Sequence, residues 1–214
     1  MMEKNNRKTM FIPKNRELGE LAAYFSKIIS QLENLLSGRV NIYIDYANVK
    51  PWAKKLHWYI DLKKLKRFLG SFDNIRTVKI YYGTLLNNPR SLREIELIKN
   101  NYHLITKPVK IMRHCIKTPV FYNNRERLKK FIKPCLLRNL DCQTMIFLNK
   151  KLDEINRAGT IYIDDLKCNF DTEISVDMIS DSNDAETFVL WSGDSDFAYP
   201  LEKLIHLKKK VILF

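Results

Sequence analysis

Three short apolar runs, separated by helical patterns, constrain this chain more than any other feature. Residues 40–44, 77–82 and 103–106 each read as a strand. Between the first two, Leu62, Leu65, Phe68 and Leu69 share one helix face, with Asp61 placed to cap it. Asn88-Pro89 then fits an N-cap followed by a first-turn proline, opening a second helix that runs to Asn101. Strands alternating with helices imply a parallel sheet covered by helices, because parallel neighbours need crossover connections. The same signals return later. Residues 160–163, 187–191 and 211–214 read as strands, and 173–180 and 197–208 as helices. The expected fold is α/β with a central, mainly parallel sheet.

Two segments stand outside this alternation. Residues 1–15 are polar, and residues 17–36 repeat Leu18, Leu21, Ala22, Phe25, Ile28, Ile29, Leu32 and Leu36 at helical spacing, with Gly38 placed to end the helix. The plain expectation is a helix packed on the main domain; the alternative is a homodimer formed through it. The second segment, residues 107–151, holds twelve lysines and arginines against only Glu126 and Asp141. That surplus of ten supplies most of the chain's net charge of +13. Phe121, Tyr122, Phe131 and Phe147 are interleaved with the cations. A solvated face on a helical insertion is the bland reading. The confinement of the bias to one segment favours a polyanion-binding element, with Arg125, Arg127, Lys129, Lys130 and Lys133 as its centre. The domain expectation is therefore a tail and amphipathic helix over 1–38, then a domain over 39–214 carrying a basic insertion at about 107–159.

Nucleic acid is the first partner such a charge suggests, and an anionic membrane the second. No apolar run is long enough to span a bilayer, and the first fifteen residues lack the apolar core of a signal peptide, so a cytoplasmic protein with no membrane partner is expected. Cys115, Cys135, Cys142 and Cys168 form no Cys-x-x-Cys pair. Reduced thiols are expected, and their spacing with His114 is irregular for zinc.

Chemistry concentrates at the strand ends. Asp45 follows the first strand directly, with Asn48 three residues on; Asp194 and Asp196 follow the strand 187–191 after the turn Ser192-Gly193. In a parallel sheet these acids share the carboxyl edge, where ligands of open α/β folds bind. Asp171, Glu173 and Asp177 come next to or on the helix after the strand 160–163, with Glu173 and Asp177 on one face. Asp45, Asp177, Asp194 and Asp196 thus gather around one point. Crowded carboxylates repel unless a cation compensates them. Hard oxygen donors suit Mg²⁺ or Mn²⁺, which can activate water for displacement at phosphorus. Each acid also has a plain explanation. Asp45, Asp194 and Asp196 could be turn formers or caps, Asn48 a turn residue, and Asp171 and Glu173 helix-start acids. Asp164-Asp165, after another strand, is a rival pair, and Asp181 and Asp184 read as solvated loop acids.

Residues 41–49, Asn-Ile-Tyr-Ile-Asp-Tyr-Ala-Asn-Val, resemble the opening strand of NYN-domain proteins, the PIN-like group that includes the LabA-like proteins. Residues 167–178, Lys-Cys-Asn-Phe-Asp-Thr-Glu-Ile-Ser-Val-Asp-Met, are similar to that family's second motif, and 190–197, Leu-Trp-Ser-Gly-Asp-Ser-Asp-Phe, to its third. The resemblance covers about 39–214 except most of 108–160; the basic insertion and the N-terminal helix depart from it. It implies a PIN-like Rossmannoid three-layer sandwich and a Mg²⁺- or Mn²⁺-dependent ribonuclease acting as an endonuclease. It carries metal roles onto Asp45, Asp177 and Asp194, with Asp196 and Asn48 supporting catalysis. A non-catalytic RNA-binding or scaffolding protein is the alternative, although a full acidic set argues against it. A haloacid-dehalogenase-like phosphatase ranks lower, because Ala47 stands where that family has a second acid.

Overall fold

A computed structural model describes residues 10–116, 132–157 and 161–214. Five strands form one parallel sheet: β1 (Val40–Asp45), β2 (Ile75–Tyr81), β3 (His103–Ile105), β6 (Thr187–Trp191) and β7 (Lys210–Leu213). Their order is β3-β2-β1-β6-β7. All six residues of β1 are buried, the signature of a central parallel strand covered on both faces. β1 pairs with β6 from Val40↔Thr187 to Ile44↔Trp191, so Asp45 and Ser192 leave the sheet side by side.

Helices cover the two faces. On one, Val40, Ile42 and Ile44 pack with Ile29 and Leu36 from the N-terminal region, with Leu62 and Leu69 of α5 (Leu62–Leu69), and with Ile98 of α6 (Pro89–Lys99). On the other, Tyr43 and Tyr81 pack with Ile174 and Met178 of α9 (Asp171–Ser180) and Leu204 of α10 (Ala198–His206). This is the α/β three-layer arrangement expected from the alternation. Its caps form as the sequence indicates. Asp61 accepts from the N–H groups of Lys63 and Lys64, and Asn88 from those of Arg90 and Ser91.

The N-terminal region differs from the single helix expected over 17–36. It is two helices, α1 (Arg16–Tyr24) and α2 (Ser26–Leu35), broken at Phe25 with φ −107° and ψ 34°. No proline or glycine sits at the break. It leaves both Leu18 and Ile29 buried, and Ile29 joins the main core. Gly38 turns the chain into β1 at φ +72°, where a side chain would run into Glu186. Two short helices follow β1: α3 (Tyr46–Val49) and α4 (Trp52–Leu56).

The chain divides into two compact units, residues 1–109 with 168–214, and residues 110–167. Within the second, β4 (Lys110–Ile116) pairs antiparallel with β5 (Ile161–Lys167). The strand expected at 160–163 therefore belongs to a separate two-stranded sheet and not to the central one. The apolar run predicted a strand but carried no information on its partner. α7 (Pro134–Leu137) and α8 (Cys142–Arg157) complete this unit among the described residues.

Candidate metal centre

The site is built from the end of β1 outward. Asp45 is 5% exposed and caps α3, accepting from the Asn48 N–H at 3.4 Å and from Asn48 Nδ2 at 2.6 Å. Ser192 Oγ donates to the oxygen that Asn48 Nδ2 also reaches, Asp45 Oδ2, at 3.3 Å. The same hydroxyl oxygen lies 3.3 Å from Asn48 Nδ2 and accepts from the Asp194 N–H at 3.3 Å. Asp194 in turn accepts from the Asp196 N–H at 3.1 Å, capping the short turn Ser195–Phe197. The cap is thus Asp194, not Asp196. Burial pushes the Asp45 carboxyl above its ordinary range; the bonds from Asn48 and Ser192 oppose this, and the Asp171 charge adds to it.

Asp171 opens α9, its own N–H bonded to Asn169 Oδ1 at 2.7 Å and its Oδ2 to Asn169 Nδ2 at 2.5 Å. Asp171, Asp194 and Asp196 each bring one carboxylate oxygen within 4.8 Å of the others. Among the described residues, none of the three is held in an ion pair. Three hard oxygen donors from two separate chain segments, with no ion pair to them among the described residues, fit a divalent ion such as Mg²⁺ or Mn²⁺.

Of the sequence-predicted residues, Asp45, Asn48, Asp194 and Asp196 are joined in this network. Asp177 is not brought into the carboxylate group. It accepts from Tyr81 OH at 2.6 Å, and Lys79 Nζ lies 3.3 Å away. The reason is the helix start. α9 begins at Asp171, and six residues at 1.5 Å each place Asp177 about 9 Å further along the helix from the edge. Glu173 is held by Lys107, which keeps its carboxyl below the ordinary range. Asp181 is no solvated loop acid: it accepts from Tyr43 OH at 2.7 Å and from Lys79 Nζ at 2.8 Å. Asp171 and Ser192 are the residues that sequence reasoning passed over. Asp171 resembled any helix-start acid, and Ser192 any turn residue; the β1–β6 register sets Ser192 beside Asp45, and Asp171 joins the group from the first residue of α9.

Arg125, Arg127, Lys129 and Lys130 lie outside the described residues. Lys133 is exposed and precedes α7. Asp164 and Asp165 stand opposite Arg113 and Met112 in the β4–β5 register, and their side chains lie outside the described set. No helix among the described residues is long and apolar enough to cross a membrane.

A DNA-directed RNA polymerase subunit beta'' of Chlamydomonas reinhardtii is 22% identical over 154 residues, covering 69% of this chain but 5% of that subunit. A Vibrio parahaemolyticus protein of unknown function is 16% identical in structure-based alignment, covering 81% of this chain and 78% of its own, with a TM-score of 0.48. The NYN domain model matches residues 39–214, from the residue before β1 to the residue after β7. The match takes in every residue of the carboxylate network, and the chain belongs to the NYN domain family, whose members are typically nucleases.

Proposed function

We propose that this chain is a metal-dependent ribonuclease that cleaves RNA phosphodiester bonds internally, with Mg²⁺ or Mn²⁺ as its ion. One observation carries the reading: Asp171, Asp194 and Asp196 converge within 4.8 Å beside the buried Asp45, and among the described residues no cation pairs with them. An ion held there would supply Lewis-acid stabilisation and an activated water. Asp171, Asp194 and Asp196 would be its ligands, and Asp45 the buried acid that faces it or orients its water. Asn48 and Ser192 fix the Asp45 carboxylate, so it presents one oxygen geometry to the cleft. Asp177 lies further along α9 and would act only through Tyr81 and Lys79. RNA is the proposed polyanion for the segment 107–151, where Arg125, Arg127, Lys129, Lys130 and Lys133 would hold phosphates in a salt-dependent manner.

The test is cleavage of matched RNA and DNA strands by the purified chain with Mg²⁺, Mn²⁺ or a chelator. RNA should be cut only with the ion present. Asp45→Asn and Asp194→Asn should each lower the rate by about a hundredfold or more, as expected when a group that holds or orients a metal is lost. Binding without cleavage by the wild type under all these conditions would sink the ribonuclease reading in favour of a non-catalytic RNA-binding protein.

A further inference from the structure

The turn that carries Asp45 and Asn48 to the acids has a second side. Tyr46 and Val49, on the same short helix α3, line a cavity of about 470 Å³ with Lys50, Trp52, Lys54 and Trp58. Tyr59 and Ile60 complete its wall. That volume lies within the range of small-ligand sites. Its walls are unusual in being aromatic yet open: Trp58 is 53% exposed and Tyr59 is 78% exposed. Large aromatic rings left in water lose the burial that normally holds them in a fold. Among the described residues, neither ring stacks on another aromatic ring. The backbone that presents them is itself uncommon. His57, immediately before Trp58, takes the left-handed conformation at φ 56° and ψ 27°, where a non-glycine residue is disfavoured. Such conformations persist where the surrounding structure holds them, and they cluster at binding sites.

Charge selects among occupants. Lys50 is already engaged, with its Nζ 2.6 Å from Glu94 and 2.9 Å from Tyr82 OH. Lys54 lines the cavity and Lys55 follows it, both exposed. Flat apolar rings beside exposed lysines suit a planar heterocycle joined to a phosphate. The cavity and the acid group share α3, only four residues long, so an occupant here is one helical turn from Asp45.

We propose that the cavity walled by Trp52, Trp58 and Tyr59 takes a nucleobase of single-stranded RNA and so seats an adjoining phosphate beside the carboxylate group. The proposal rests on the ribonuclease reading and narrows its substrate to strands with an unpaired, extruded base. Base-paired RNA presents no free π-face to such a wall.

The experiment measures binding of the full chain to a labelled single-stranded oligoribonucleotide in chelator, so that cleavage plays no part. A second strand of equal length carries abasic positions. Trp58→Ala with Tyr59→Ala should weaken binding to the base-bearing strand by about tenfold, within the effect of losing a stacked base. Binding to the abasic strand should change little, and Trp58→Phe should restore most of the loss. Base-bearing RNA should also quench the wild-type tryptophan fluorescence more than abasic RNA does. Equal binding of the two strands by the wild type overturns the proposal. So does an equal loss on both strands in the double variant, which would give Trp58 and Tyr59 a packing or protein-docking role. Failure of the ribonuclease reading would show separately, as no metal-dependent cleavage by the wild type.

Discussion

Along β1, Asn41, Tyr43 and Asp45 alternate onto one face of the sheet, and acids meet that face at two levels. Midway down, Asp177 and Asp181 of the α9 region are answered by the protein itself. Lys79, with its side chain 13% exposed, lies 3.3 Å from the first and 2.8 Å from the second. Tyr81 and Tyr43 each donate a hydroxyl to one of them. Burial, followed by these acidic partners, pushes both phenols well above their ordinary range, so they remain donors at any ordinary pH. At the carboxyl edge, Asp171 accepts from the Asn169 amide and Asp194 from the Asp196 N–H, and none of Asp171, Asp194 and Asp196 forms an ion pair among the described residues. One helix thus contributes both an acid paired with Lys79 and, among the described residues, an acid without an ion pair. The difference separates acids paired within the protein from acids without an ion pair among the described residues.

The largest way to sharpen this comparison is to remove the internal cation. Lys79→Met leaves Asp177 and Asp181 without their ammonium in a partly buried site. Removing one partner of a fully buried pair costs about 3–5 kcal/mol. The two carboxylates retain side-chain exposures of 33% and 24%, so solvent screens part of that loss. A destabilisation of about 2 kcal/mol is expected in urea unfolding. Asp194→Asn should by contrast leave stability unchanged or raise it, because it relieves repulsion. Similar losses in the two variants would break the distinction.

The second prediction adds the cation instead. An ion that binds only the folded chain stabilises it by mass action, by about 2.7 kcal/mol when free ion is a hundredfold above its dissociation constant. Well below that saturation, where the gain is nearer 1 kcal/mol, Mn²⁺ should raise the melting temperature of the wild type measurably. Asp171→Asn and Asp194→Asn should remove the response, whereas Asp177→Asn should keep it. Loss of the response in Asp177→Asn, with the response intact in Asp171→Asn, would return the metal role to the residue that the motif resemblance indicates.

The sequence made the sheet legible because a central parallel strand is buried at every position, as β1 is, so it is mostly apolar and its end is marked by the first acid. It made Asp45, Asn48, Asp194 and Asp196 legible for the same reason: each follows a strand end within a few residues. It could not rank Asp171 over Asp177. Both lie in a stretch with helical and acidic character, and the choice depends on where α9 begins. Lys79 was hidden inside an apolar strand, where the two-residue alternation reads a cation as solvent-facing unless an acid on another element is known to reach it. The pairing of β5 with β4 was equally out of reach, since β4 lies in a segment whose charge masks its strand pattern.

The smallest effect lies in pH. Asp45 and Glu173 sit at the same end of the fold and are perturbed in opposite directions. Burial raises the Asp45 carboxyl, so its protonated form is favoured on folding. Its contribution is fully present below the ordinary carboxylate value of 3.8 and is lost as pH rises through the raised folded value. The Lys107 bond lowers Glu173, so its contribution is present above the ordinary value of 4.5 and is lost as pH falls through the lowered folded value. Glu173 is more than a third exposed, so screening limits its pairing with Lys107 to less than about 1 kcal/mol. Unfolding measured in chelator from acid to neutral pH should therefore give opposite differences for two variants. Asp45→Asn should gain on the wild type as pH rises, because it removes the cost of a buried charge while keeping a carbonyl oxygen for Asn48. Glu173→Gln should lose ground over its own, lower window. Parallel profiles for the two variants would show that burial at the strand end and pairing on the helix do not act as separate electrostatic environments.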